Sequence, residues 1–120
     1  MPAKRLLLVE DETELQELFA HVLRDEGYLV DVASTLAEGS RRLDEQRYAL
    51  VVADWRLPDG NGILIADRAA ELGAKTFVIS GFLYRLADGA AERHELLMKP
   101  VRPLELAIAV KLSIGPPTEP

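Results

Sequence analysis

The sequence predicts an α/β fold: a doubly wound parallel sheet of five strands with helices packed on both faces. Three observations lead to it. Short unbroken apolar runs recur at residues 6–9, 49–53, 76–79 and 96–98. Stretches with the helical spacing of apolar residues separate them. The two patterns alternate along the chain, as repeated βα units joined by right-handed crossovers require.

Each element has its own justification. Runs of Leu, Val and Ile this short suit strands covered on both faces. Residues 28–33 make a fifth strand, but Asp31 interrupts it, which suits an edge position. Leu15, Leu18, Phe19, Val22 and Leu23 fall on one face of a first helix. Thr13 with Gln16 reads as a capping box at its start, and Gly27 as its stop. A second helix is expected over 36–47, with Leu36, Gly39, Ser40 and Leu43 facing inward. A third covers 63–72 and is ended by Gly73. A fourth, over 83–93, contains Asp88 and Gly89 and is expected to be short or irregular. Pro103 opens the last helix at a favourable first-turn position, after Arg102, a weak cap. Leu104, Leu106, Ile108, Val110 and Leu112 also alternate as a strand would, yet the segment is long and rich in good helix formers.

Composition narrows the function. The 120 residues are 48% hydrophobic and 28% charged, which fits one globular domain over 1–120. Its core is expected at about 4–113, with 114–120 a loose tail. The absence of cysteine removes disulfides, thiolate metal sites and cysteine nucleophiles together. A net charge of −6 argues against direct nucleic-acid binding, which depends on Lys and Arg neutralising phosphates. The apolar run before Glu10 is too short for a signal peptide, and no stretch approaches the roughly 20 apolar residues of a membrane span. No membrane insertion is expected, and a cytoplasmic location is the default.

The chemistry collects where the strands end, the edge at which doubly wound sheets bind ligands. Glu10, Asp11 and Glu12 follow the first run, Asp54 ends the strand at 49–53, Ser80 follows 76–79, and Lys99-Pro100 follows 96–98. Folding would gather carboxylates, a hydroxyl and an ammonium in one small volume. Carboxylates this close repel, and at least one pKa rises unless a cation intervenes. Oxygen-only ligands favour Mg²⁺, with Mn²⁺ the alternative. Beside such an ion an Asp can attack phosphorus, while Lys99 and Ser80 would neutralise the transferred oxygens.

Each residue also has a plainer reading. Acids at a helix start can simply favour the helix dipole. Pro58-Asp59-Gly60-Asn61-Gly62 is first of all a turn. His21 shares an outer helix face with Glu14, Glu17 and Arg24, and His94 has no evident partner.

Taken in order, the motifs resemble the bacterial receiver domains of two-component systems. Leu7-Leu8-Val9-Glu10-Asp11-Glu12 is similar to that family's first strand and acid pair. Val51-Val52-Ala53-Asp54-Trp55-Arg56-Leu57-Pro58-Asp59-Gly60-Asn61-Gly62 is similar to its phosphoacceptor strand and following loop. Val78-Ile79-Ser80-Gly81 and Met98-Lys99-Pro100 match its switch hydroxyl and Lys-Pro motifs.

The resemblance implies a flavodoxin-like (βα)5 sheet in the order 2-1-3-4-5. It makes Asp54 the phosphoacceptor and a metal ligand, with Asp11 binding Mg²⁺ directly and Glu10 through water. The Arg56 backbone carbonyl would be a further ligand. Lys99 would pair with Asp54 and then with the phosphoryl oxygens. Ser80 would swing in to hydrogen-bond the phosphate, Gly81 would leave room for it, and the Lys99–Pro100 bond would be cis. Trp55, the only tryptophan, becomes an optical reporter beside Asp54. The donor would be a sensor histidine kinase or a histidine phosphotransfer protein, and the receiver of the signal a downstream protein target. As a stand-alone domain with no output module attached, the chain would catalyse only its own phosphorylation and dephosphorylation.

Two departures stand out. Leu96 occupies the position where the family usually has Tyr or Phe, three residues before the lysine. The stretch from Ser80 to Lys99 is also about three residues short for the family. Family-typical dimers through the fourth helix, fifth strand and fifth helix are therefore not expected. An alternative is a receiver-like interaction module that works without phosphorylation. A haloacid-dehalogenase-like phosphatase would need a second acid two residues after the nucleophile, where this chain has Arg56.

Overall fold

The computed structural model describes residues 2–81 and 90–118. The elements follow the alternating pattern: β1 (Arg5–Val9), α1 (Thr13–Asp25), β2 (Leu29–Ala33), α2 (Leu36–Glu45) and β3 (Leu50–Asp54). A small hairpin follows, β4 (Arg56–Leu57) and β5 (Gly60–Asn61), then α3 (Gly62–Glu71) and β6 (Lys75–Ser80). The described chain closes with α4 (Ala90–Arg93), β7 (Glu95–Met98) and α5 (Pro103–Ile114). The main sheet has five parallel strands in the order β2-β1-β3-β6-β7. With the hairpin set aside, this is the expected order 2-1-3-4-5. The order reverses at β1, so the crevice between the carboxyl ends of β1 and β3 is where a ligand is expected.

Alternation along the strands feeds two cores. Leu6 and Leu8 of β1, with Leu50, Val52, Phe77 and Ile79, pack against Phe19, Ala20 and Leu23 of α1 and Leu106, Ala107 and Val110 of α5. Leu7 and Val9, with Val51 and Ala53, point the other way, onto Leu43 of α2 and Ile65 and Ala69 of α3. Successive strand side chains point to opposite faces, which is why runs apolar at every position belong in a sheet covered twice. β2 lies at an edge, as Asp31 suggested. Asp31 accepts from Arg5 Nη1 at 3.0 Å and from the Tyr48 hydroxyl at 2.7 Å, so its charge in a strand is answered.

Several local expectations need correction. Thr13 is the first residue of α1 rather than its cap; Glu12 holds the cap position, with no side-chain cap bond. Gln16 instead donates its amide to the Glu10 carbonyl at 2.8 Å and the Ala33 carbonyl at 3.2 Å, tying α1 to the ends of two strands. A capping pair forms at α2, where Thr35 Oγ1 accepts from the Glu38 N–H at 3.0 Å and Glu38 accepts from the Ser34 N–H at 2.6 Å. α2 stops at Glu45, two residues before the expected end at 47. The tail is held as far as Pro117, whose carbonyl accepts from the Lys4 N–H at 2.9 Å, while the Tyr28 hydroxyl donates to the Gly115 carbonyl at 2.6 Å.

The ambiguous last segment is helical, and burial shows why. A strand would set Leu104, Leu106, Ile108, Val110 and Leu112 on one face. The helix buries Leu106 and Val110 and exposes Leu104, Ile108 and Leu112. Arg102 precedes Pro103 without a side-chain cap bond, as expected. Of the expected fourth helix, residues 83–89 lie outside the described residues; the described part is the single turn Ala90–Arg93. Among the described residues, no helix is long and apolar enough to cross a membrane.

Candidate functional site

Strand register brings the site together. Val9 of β1 pairs with Ala53 of β3, so Glu10 and Asp54 each stand one residue beyond the same rung. On the other side Asp54 pairs with Ile79, and Ser80 pairs with Met98. The chain then turns so that the Lys99 N–H donates to the Ser80 carbonyl at 3.0 Å. The Lys99–Pro100 bond is cis.

The result is an acidic cleft of about 580 Å³ lined by Glu10, Asp11, Glu12, Asp54, Arg56, Leu57, Pro58 and Lys99. Asp54 is only 5% exposed. Its Oδ2 accepts from Lys99 Nζ at 2.8 Å, and its Oδ1 accepts from the Arg56 N–H at 3.2 Å. Glu10 is 2% exposed and accepts from the Glu12 N–H at 3.1 Å through Oε2. Asp11 is exposed at the mouth. Oxygen atoms of Glu10, Asp11 and Asp54 all lie within 4.8 Å of one another.

Electrostatics record the crowding. Burial, reinforced by the Asp54 charge, pushes Glu10 up to about 7 against the pull of the Glu12 N–H. Burial lowers Lys99, but the Asp54 hydrogen bond and the charges of Asp54, Glu10 and Asp11 outweigh it and hold the ammonium above its ordinary value. Three converging carboxylates, two of them nearly buried, fit a hard divalent cation with oxygen ligands.

Gly62 shapes the floor. A Cβ there would lie 1.9 Å from the Asp54 carbonyl oxygen, so only glycine lets the chain return beneath the acidic residue. The Gly62 N–H donates to the Trp55 carbonyl at 2.7 Å, and Asn61 Oδ1 accepts from the Ile63 N–H at 2.8 Å to start α3.

The remaining candidates divide. Ser80 is 1% exposed at the end of β6, beside Lys99 but outside the residues that line the cleft. Nothing among the described residues lies within 4 Å of where a Cβ on Gly81 would stand. Arg56, exposed on β4, lines the cleft. Trp55 and Leu96 pack on Ile63, Ala66 and Val78, so the leucine in the usual aromatic position fills a small apolar cluster. His21 is exposed. His94 does have partners: it is 5% exposed, with Nδ1 2.5 Å from Thr76 Oγ1 and Nε2 2.6 Å from Asp67 Oδ1. Those partners stand 18 and 27 residues away in sequence, and no local pattern announces them.

Fold and site together define a flavodoxin-like domain with an acidic cleft at the switch point of its sheet. The chain belongs to the response regulator receiver domain family, whose profile matches residues 6–111. It is thus a receiver domain of the two-component response regulators. It is similar to the CheY-like receiver domain protein of Methanospirillum hungatei JF-1, at 28% identity and a TM-score of 0.81, covering 93% of this chain and 94% of that one. It is also similar to the response regulator TrrA of Thermotoga maritima, solved in complex with Mg²⁺-BeF, at 28% identity and a TM-score of 0.79, covering 91% of this chain and 97% of that one. The transcriptional regulatory protein PmrA of Pectobacterium parmentieri is 39% identical over 64 residues, 53% of this chain but only 29% of that protein. The chain thus matches less than a third of the length of that curated relative.

Proposed function

We propose that this domain is a phosphoacceptor switch in which Asp54 takes a phosphoryl group in a Mg²⁺-dependent reaction. The observation that carries the reading is the position of the Asp54 carboxylate, bonded to the Lys99 ammonium on one side and within 4.8 Å of Glu10 and Asp11 oxygens on the other. Glu10, Asp11, Asp54 and the Arg56 carbonyl would hold the ion, with Mn²⁺ as a substitute. When bound, the ion supplies positive charge that offsets the acids and the transferred oxygens.

An Asp54 carboxylate oxygen attacks phosphorus of a phosphohistidine on a sensor kinase or phosphotransfer protein. The new O–P bond forms as the N–P bond breaks, and the electron pair leaves on the imidazole nitrogen, which takes up a proton. Lys99, already 2.8 Å from Asp54, follows the new charge onto a phosphoryl oxygen. The Ser80 hydroxyl, at the neighbouring strand end, turns to a second oxygen, and Gly81, which carries no side chain, gives it room. The phosphoryl group adds about −1.5 to −2 charge, enough to rearrange the strand ends and change binding of a downstream protein.

Titration of Mg²⁺ against Trp55 fluorescence, followed by beryllofluoride, tests the reading. A saturable Mg²⁺ response and a further beryllofluoride change, both lost in Asp54→Ala, are expected. Full binding of a partner with no response to either reagent would favour an interaction module that works without phosphorylation.

A further inference from the structure

A helix leaves its first-turn amides without partners inside the helix. In α2 the amides of Leu36, Ala37 and Glu38 have partners, two of them on a distant residue. The Glu38 N–H goes to Thr35 at 3.0 Å, while the Leu36 and Ala37 N–H groups donate to Asp59 Oδ1 at 2.7 Å and Oδ2 at 3.0 Å. Asp59 lies 23 and 22 residues further along, in the turn between β4 and β5. Its acceptance of these amides, Leu36 first, holds its carboxyl below the ordinary value.

The same turn approaches α2 a second time. Gly60 has φ +147°, and a Cβ on it would lie 2.7 Å from Leu36 Cδ1. The hairpin is therefore fastened at three points. Its tip is on α2 through Asp59. Its last strand residue, Asn61, caps α3, and at its first residue the Arg56 N–H is bonded to Asp54. Antiparallel pairing of Arg56 with Asn61 and Leu57 with Gly60 carries the fixed tip back to the cleft.

We propose that Asp59 is a positioning residue for the cation site: by capping α2 from the hairpin tip, it fixes the loop that presents Arg56 and borders Asp54. The inference rests on reading the cleft as a cation and phosphoryl site. Asp59 does not line the cleft, so its effect passes through the loop.

The test compares Asp59→Ala, Asp59→Asn and Thr35→Ala in the full chain. Two readouts are used: Mg²⁺ titration by Trp55 fluorescence, and hydrogen exchange of the Leu36 and Ala37 amides without metal. Asp59→Ala is expected to speed both amides and to weaken Mg²⁺ binding about three- to tenfold, the worth of a helix cap carried to the site. Asp59→Asn, which keeps an acceptor oxygen, falls between. Thr35→Ala removes a cap from the same turn but does not touch the hairpin, and it leaves Mg²⁺ affinity unchanged. Wild-type affinity in Asp59→Ala, or an equal loss in Thr35→Ala, overturns the inference while leaving the cation site standing. Should Asp59→Ala fail to fold, Asp59→Asn decides in the same way. A flat Mg²⁺ titration in the wild type overturns the cation site and this inference together.

Discussion

Lys99 Nζ reaches Asp54 Oδ2 at 2.8 Å across β6, joining the ends of two strands that are not neighbours. The pair is the one direct cation contact that the described residues give Asp54. Removing the ammonium leaves a nearly buried carboxylate facing two others, whereas the lysine itself is partly exposed and contributes less than a fully buried partner. Lys99→Met is expected to lower the stability of the metal-free protein by about 1–2 kcal/mol in urea unfolding. It should also abolish the beryllofluoride response while Mg²⁺ still binds.

Glu10 gives the pH dependence. Burial raises it from 4.5 to about 7, so the folded chain keeps the proton more tightly than the unfolded chain. Its contribution to stability is full below the unfolded value and is lost as pH rises through about 7. Cation binding needs the ionised carboxylate, so Mg²⁺ affinity should rise over the same window. Urea unfolding and Mg²⁺ titration across a pH series measure both slopes, and Glu10→Gln should flatten both.

Gly62→Ala tests the close return of the chain beneath Asp54. A Cβ 1.9 Å from the Asp54 carbonyl oxygen cannot be seated without moving the backbone at the site. A loss of about 2–4 kcal/mol is expected, together with weakened Mg²⁺ binding. Gly81→Ala, whose Cβ would meet none of the described residues within 4 Å, should leave stability nearly unchanged.

His94 joins β6 to α3 through Thr76 and Asp67, at a distance from the acidic cleft. His94→Ala would leave a cavity and strip Thr76, itself buried, of its partner. The expected cost is about 2–4 kcal/mol in urea unfolding, with Mg²⁺ affinity unchanged.

The sequence made some of this legible and hid the rest for physical reasons. Strands covered on both faces leave continuous apolar runs, so β1, β3 and β6 were readable within a residue, and with them the acids that follow. The Thr13–Gln16 spacing imitates a capping box, but the helix starts one residue earlier, at a Glu12 cap, and Gln16 turns to the carbonyls of Glu10 and Ala33. The bonds of Asp59 and His94 were invisible because both cross more than fifteen residues of chain. The tail reads as free in sequence because Gly115 and the two prolines carry no helical or strand pattern, while its anchors are bonds from Lys4 and Tyr28, far away along the chain.

The most direct measurement is the intact mass of the protein, taken in acid after incubation with a small phosphodonor. One added phosphoryl group, dependent on Mg²⁺, mapped to Asp54 and absent from Asp54→Asn, is the result expected. An unchanged mass under those conditions, or a phosphoryl group retained in Asp54→Asn, would contradict the assignment of Asp54 as the acceptor.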